Sequence, residues 1–408
     1  MAIITLFSGS FCEEDSVVRE VISRTGYRQI TDEEIVAEAS RRAAMAESKI
    51  RRAFSAGTSV FNKFTREKER SLAYIKLALA DMIAHENILL TFFSGQLIPQ
   101  KVSHTLRVCL IAPIKHRIAA ASRQEEVSEK EAAKLVMKRE EDCVFWIDSL
   151  FNIRDPWDAS LYDIVIPIDK MTPSDAAGLI VDNAAKDIVR PTASSLQAVK
   201  DFRLAAETEV ALAREGHTVQ VDADNGAVTL TINKHVLMLS RLQDELKSIA
   251  EKVDGVRSVE TKIGKGFHKA DIYRKHDFQM PSKVLLVDDE REFVQTLSER
   301  LLMRDMGSAV AYDGESALKL IQEDEPEVII VDLKMPGIDG LEVLRRVKET
   351  RPEIEVIILT GHGNEEDRQL CMELGAFAYL QKPLDINVLS ETIQKANEKL
   401  RQKKEKTD

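Results

Sequence analysis

The sequence predicts an α/β protein in which two helix-covered parallel sheets flank a small α+β unit. Three observations carry this. Short β-like runs alternate with amphipathic helices across residues 1–190, the pattern of a mostly parallel sheet with helices on its faces. Period-two apolar patterning then brackets the Asn225-Gly226 turn, which marks a hairpin. Beyond Lys283 the runs Val284 to Val287, Val328 to Val331 and Val356 to Leu359 are continuously apolar, as strands buried on both faces of a parallel sheet are. A chain of 408 residues agrees with two or three domains of roughly 150 residues each.

Composition narrows the classes of function. With 44% hydrophobic and 31% charged residues, the chain has ordinary cores and solvated surfaces rather than disorder throughout. The net charge of -11 and the absence of a helix-turn-helix with a basic recognition helix argue against direct DNA binding. The longest apolar stretches, such as Ile88 to Phe93, fall short of the roughly 20 residues a bilayer span needs. The N-terminus lacks a basic region followed by a long apolar run. The expectation is a cytoplasmic protein without a membrane partner. The four cysteines, Cys12, Cys109, Cys143 and Cys371, show no zinc-type spacing and read as small buried hydrophobes of a reducing compartment.

In the first segment, residues 1–190, the predicted strands are Ile3 to Phe7, Ile88 to Phe93, Leu106 to Ile111 and Ile164 to Ile168. Thr31 with Glu34 and Ser128 with Glu131 have capping-box spacing, so each predicts a helix start, and Thr172-Pro173 opens another. Residues 195–265 read as αββαβ. A helix near Ser195 to Glu215 leads into Val219 and Val221, then Val228, Leu230 and Ile232 alternate after the turn. Leu239, Leu242, Leu246, Ile249 and Val253 keep helical spacing, and Val256, Val259, Thr261 and Ile263 form a closing strand. Residues 266–282 are polar and irregular, a linker. Residues 283–402 alternate strand and helix, with shorter strands near Ala309 and Phe377, and residues 403–408 form a cationic tail.

The sharpest chemistry lies in the last segment. Asp288-Asp289, Asp332, Thr360 and Lys382 each sit at or just past the end of a predicted parallel strand, and such ends converge on the edge where open α/β sheets bind ligands. Carboxylates gathered there repel by about 4 kcal/mol per pair at 4 Å and an effective dielectric near 20. Mg²⁺, which takes a few carboxylate oxygens and tolerates phosphate, would keep them ionised. A carboxylate beside it can attack a phosphoryl group and form an acyl phosphate. Asp332 is the predicted nucleophile, because the following Leu333-Lys334-Met335-Pro336-Gly337-Ile338-Asp339-Gly340 leaves it on an open loop. Lys382 and the Thr360 hydroxyl would neutralise and hydrogen-bond the product. Lys382-Pro383 is a candidate cis peptide.

These residues resemble, across Lys283 to Arg401, the receiver domain of two-component response regulators. The acidic pair, the Asp before Met-Pro-Gly-x-Asp-Gly, the Thr after strand four and the Lys-Pro after strand five all match. The resemblance implies a flavodoxin-like (βα)5 fold with Asp332 as phosphoacceptor. It implies Mg²⁺ on Asp288, Asp289, Asp332 and the backbone carbonyl of Lys334, and Tyr379 as an aromatic switch. It also implies a histidine kinase or phosphotransfer protein as phosphate donor.

At the other end, Phe7-Ser8-Gly9-Ser10-Phe11 forms a strand-loop-helix junction where backbone N–H groups could meet a phosphate. A Walker A loop needs G-x-x-x-x-G-K-[ST], and this chain offers Glu14-Asp15-Ser16 where Gly-Lys-Ser would stand. Residues 1–187 nevertheless resemble the cytidylate kinase-like family of P-loop nucleoside monophosphate kinases. The carriers are Ile3 to Gly9, Glu86-Asn87-Ile88, Leu106-Arg107-Val108, Ile111-Ala112-Pro113 with Arg117, Ser128 to Ala132, and Tyr162 to Val165. That resemblance makes Gly9, Ser10, Ser16 and Arg117 the candidate nucleotide contacts, with Arg123 and Arg139 as further cations. Acid replaces the family's basic lid at Glu140-Glu141-Asp142, so the expectation is a degenerate kinase domain. Residues 195–265 resemble a BON domain on the αββαβ order and Val253-Asp254-Gly255-Val256, a packing or dimerisation module. The predicted function is that of a response regulator whose phosphorylation changes the interactions of the N-terminal domains. A nucleotide kinase gated by the C-terminal domain, and a phosphate sink without output, stand as rivals. A second copy of the chain is a further candidate partner.

Overall fold

In the computed structural model, which describes residues 2–56, 62–85, 87–233, 239–264, 283–302, 304, 306–361 and 364–405, β1 (Ile3–Ser8) is buried along its whole length. Its side chains alternate, Ile3 and Phe7 entering one apolar core and Ile4 and Leu6 the other, which is why the run reads as continuously apolar. The expected linker at 266–282, Glu86 and the last residues of the expected tail, 406–408, lie outside the described residues. The chain falls into two compact units, Met1–Thr58 with Lys68–Arg274, and Ser59–Glu67 with Lys275–Asp408.

The N-terminal segment continues with α1 (Glu14–Thr25), β2 (Arg28–Ile30), α2 (Asp32–Ala43), α3 (Glu47–Arg51), α4 (Asn62–Thr65) and α5 (Glu67–Met82), then β3 (Ile88–Thr91) and β4 (Thr105–Ile111). It closes with α6 (Ile114–Gln124), α7 (Glu129–Phe151), β5 (Ile164–Pro167) and α8 (Pro173–Ala184). The five strands are parallel in the order β2-β3-β1-β4-β5. Passage from β3 to β4 across β1 reverses the winding, so a crevice opens at the carboxyl edge. Thr31 caps α2 by accepting from the Glu34 N–H, and Ser128 with Glu131 and Thr172 with Asp175 form reciprocal boxes. The predicted strand Ile88 to Phe93 stops two residues early, because Phe92 takes φ +73° and turns the chain out of the sheet.

Next come α9 (Ala193–Arg214), β6 (Gln220–Asp224), β7 (Ala227–Ile232), α10 (Leu239–Ala250) and β8 (Ser258–Ile263), the expected αββαβ order. β6 and β7 are antiparallel around Asn225-Gly226, both at positive φ, and β8 runs parallel to β7. Helix α9 serves two cores: Ala198, Val199, Phe202 and Val210 join the N-terminal one, and Leu204, Ala205 and Leu212 cover the small sheet.

The second unit holds β9 (Val284–Val287), α11 (Arg291–Leu302), β10 (Ser308–Ala311), α12 (Gly314–Glu323), β11 (Val328–Val331), α13 (Gly340–Thr350), β12 (Glu355–Thr360), α14 (Glu365–Glu373), β13 (Ala378–Gln381) and α15 (Ile386–Glu405). All pairings are parallel, in the order β10-β9-β11-β12-β13. This is the flavodoxin-like arrangement, with its switch point between β9 and β11. Among the described residues no helix is long and apolar enough to cross a membrane.

Candidate functional site

The register of the second sheet assembles its carboxyl edge. Val287 pairs with Val331, and the Asp332 N–H donates to the Val287 carbonyl at 2.9 Å, so Asp288 and Asp332 emerge side by side. On the other flank Thr360 pairs with Gln381 and the Lys382 N–H donates to the Thr360 carbonyl at 2.9 Å. Lys382-Pro383 is cis. The Lys382 ammonium thereby reaches Asp288 Oδ2 at 2.6 Å and Asp332 Oδ1 at 3.3 Å. Asp288, Asp332 and Thr360 are all buried.

Each carboxylate is oriented by backbone. Asp288 Oδ1 accepts from the Glu290 N–H at 2.8 Å, and Asp332 Oδ2 from the Lys334 N–H at 3.0 Å. Burial pushes the Asp332 carboxyl above its ordinary value, the Lys382 ammonium pulls it back, and Asp288 adds to the rise. Burial works against the Lys382 ammonium as well, but the Asp288 and Asp332 carboxylates more than offset this and hold it above its ordinary value. Gly340 is required at the first position of α13, since a Cβ there would stand 2.1 Å from the Asp332 carbonyl oxygen.

Four of the predicted groups, Asp288, Asp332, Thr360 and Lys382, thus meet at one edge, and the backbone of Lys334 joins them. Asp289 is exposed. Among the described residues no three acidic, imidazole or thiol groups stand close enough to hold a metal; the cation between the carboxylates is Lys382. The donor set still suits a divalent, oxygen-seeking ion, because two buried carboxylates share one ammonium and a negative charge is left over. Tyr379 packs half-buried against the apolar core beside Ile358, and its hydroxyl is buried without a hydrogen-bond partner among the described residues. Sequence reasoning missed Glu290, 3.6 Å from the Lys382 ammonium, and Phe293, whose ring the ammonium covers at 4.3 Å. Adjacency to the acidic pair was the available signal for Glu290.

The carboxyl edge of the N-terminal sheet is built differently. A cleft of about 660 Å³ is lined by Glu14, Asp15, Asp32, Asp142, Phe54 and Phe93, among others. Burial, then Asp15 and Asp32, push the Glu14 carboxyl up to about 8. Burial lifts Asp32 to about 6, although it accepts from the N–H groups of Phe93 at 2.9 Å and Ser94 at 3.0 Å. Gly9 and Arg117 are brought together: a Cβ on Gly9 would lie 3.6 Å from Arg117 Cδ. Ser16 instead accepts from Arg19 at 3.2 Å, and the Ser10 carbonyl faces the Cys12 thiol. Arg117 is buried and ion-paired to Glu140, Arg139 pairs with Glu125 at 2.8 Å, and Arg123 donates to the Ala119 carbonyl within its own helix. All four cysteines are buried and free.

Comparison with known proteins agrees with both ends. Residues 284–394 match the family model of the response regulator receiver domain, and residues 3–170 match that of the cytidylate kinase-like family. Among solved structures, the response regulator receiver domain protein from Clostridium thermocellum is 35% identical, covering 29% of this chain and 96% of its own, with a TM-score of 0.29. The receiver domain of NtrX from Brucella abortus is 30% identical, covering 28% of this chain and 98% of its own, at 0.27. The Francisella response regulator 1452 receiver domain is 29% identical, covering 29% and 98%, at 0.28.

Proposed function

We propose that this chain, which belongs through residues 284–394 to the response regulator receiver family and carries a cytidylate kinase-like segment over residues 3–170, is a two-component response regulator phosphorylated on Asp332. The observation that carries the reading is the buried Asp288–Lys382–Asp332 cluster at the switch point of the sheet. A carboxylate oxygen of Asp332 attacks the phosphoryl group of a histidine kinase or phosphotransfer protein. The phosphorus–nitrogen bond of the donor breaks, its electron pair returns to the imidazole, and an aspartyl phosphate forms. Lys382 holds the nucleophile ionised and then faces the phosphoryl oxygens, while the Thr360 hydroxyl stands on the same edge to donate to them. Asp288, Asp289, Asp332 and the Lys334 carbonyl would hold Mg²⁺, which would supply charge neutralisation for donor and product.

The modification adds about two negative charges to a buried edge. Tyr379, whose buried hydroxyl has no hydrogen-bond partner among the described residues, is the side chain best placed to repack when Thr360 turns to the phosphate. The output is a change of interaction rather than of nucleotide chemistry. Phosphoryl transfer needs positioned cations, and two of those near the loop after β1, Arg117 and Arg139, are already paired with carboxylates. The αββαβ unit serves this scheme as a BON-like packing module.

Incubating the full chain with acetyl phosphate and Mg²⁺ tests the reading. The wild type should gain one phosphoryl mass, labile to hydroxylamine, and Asp332→Asn should gain none. Equal labelling of the variant would end it.

A further inference from the structure

The loop after β1 lies against a guanidinium that the chain itself occupies. Helices α6 and α7 pack side by side, and the stem of Arg117 backs directly onto Gly9. Arg117 is only 6% exposed. Its Nε donates to the Ala112 carbonyl at 2.8 Å, which fixes the plane of the head group, and its Nη1 donates to the Glu140 carboxylate. The side chains of Arg117 and Glu140 are 7% and 15% exposed. A buried charge requires a partner of opposite sign, and a guanidinium fork donates to carboxylate and phosphoryl oxygens in the same planar geometry. Arg139, on α7, is a second paired guanidinium but an exposed one, lying 4.5 Å from the centre of the Phe11 ring and pairing with Glu125.

We propose that Arg117 is the cation of a phosphoryl-anion seat held shut by Glu140, a carboxylate of the chain standing where a ligand's oxyanion would sit. The seat lies at the carboxyl edge of a parallel sheet beside the loop from β1 into α1, the place where such folds take charged ligands. While Glu140 is ionised the guanidinium is answered. The neighbouring cleft carries both Asp15 and the guanidinium groups of Arg51 and Arg52, so what an approaching anion lacks at this seat is the Arg117 guanidinium itself. Neutralising Glu140 alone returns a positive charge to the seat. The excluded ligand class is therefore a phosphate or phosphate ester, and what excludes it is one ion pair rather than the shape of the loop.

The inference rests on reading the N-terminal segment as a nucleotide-kinase fold that has lost its working cations. Inorganic phosphate is the probe, titrated against the full chain at constant ionic strength made up with chloride. Wild type should be indifferent. Glu140→Gln, which keeps the size of the side chain and one hydrogen bond, should bind phosphate at least about tenfold more tightly than wild type, and phosphate should raise its melting midpoint saturably. Glu140→Ala leaves the guanidinium without a partner, so its melting midpoint should fall and be partly restored by phosphate. Adding Arg117→Gln to Glu140→Gln should abolish the response. A Glu140→Gln chain as indifferent as wild type, or a double variant that still responds, overturns the proposal. Wild-type chain that binds phosphate and phosphorylates CMP would instead overturn the underlying reading of the domain.

Discussion

Replacing Lys382 by Met removes the ammonium that Asp288 and Asp332 share while keeping an aliphatic stem against Phe293. At 3.3 Å and an effective dielectric of 20, the attraction to Asp332 alone amounts to about 5 kcal/mol. Part of that is spent on desolvating the lysine, and breaking one partner out of a buried pair costs about 3–5 kcal/mol in practice. A loss near 3 kcal/mol corresponds to an increase of about a hundredfold in the opening equilibrium of the sheet. The effect must fall with acidity. Asp332 already titrates above its ordinary value because it is buried, so its stability penalty is absent below the unfolded value and grows as pH rises toward the folded one. Without Lys382 the folded value rises further, and lowering the pH from about 7.5 to about 5 should recover part of the loss. Trp146 and Trp157 both lie in the first unit, so tryptophan fluorescence does not report this sheet. Hydrogen exchange read by mass spectrometry on peptides spanning Val284–Val287 and Val328–Val331 does. Exchange within about threefold of wild type at both pH values would show that the ammonium is solvated rather than seated between the carboxylates.

Gly340→Ala should displace the Asp332 loop, since the new Cβ would meet the Asp332 carbonyl oxygen at 2.1 Å; the expectation is a loss of about 1–3 kcal/mol and labelling by acetyl phosphate at least tenfold slower, and wild-type labelling would refute it. Tyr379→Phe deletes a buried hydroxyl with no partner among the described residues, so exchange in β12 and β13 should change by less than about 0.5 kcal/mol or become slightly slower. Glu14→Gln should stabilise the first unit at alkaline pH, because burial has lifted that carboxyl from 4.5 to about 8. The penalty in the native chain is absent below about pH 4.5, grows up to about pH 8 and is full above it, so urea denaturation followed by Trp146 and Trp157 fluorescence should show a gain of about 2 kcal/mol or more at pH 8.5 that vanishes by pH 4.5. A gain equal at both pH values would mean that Glu14 is not buried as an acid.

What was legible in the sequence follows from which distances the chain fixes locally. Asp288, Asp332 and Thr360 could be placed together because each ends an apolar run or follows one at once, and parallel pairing lines up such ends whatever helices lie between. Lys382 follows β13 by one residue, so the same logic found it. The strand Arg28–Ile30 escaped notice because three residues that are exposed, half-buried and buried in turn give neither an apolar run nor an alternation to count. Asp32 could be read only as a first-turn acid behind the Thr31 cap; its bonds to Phe93 and Ser94, across more than sixty residues, depend on where β3 ends against α2. The pairing of Arg117 with Glu140 was hidden for a related reason. The acidic replacement in α7 was visible as composition, but its partner is chosen by the rotation of two packed helices, a quantity that periodicity constrains to a face and never to a residue. Strand ends therefore disclose the chemistry of the receiver edge, whereas the closed state of the other sheet's loop is a property of helix packing and appears only when the helices are set side by side.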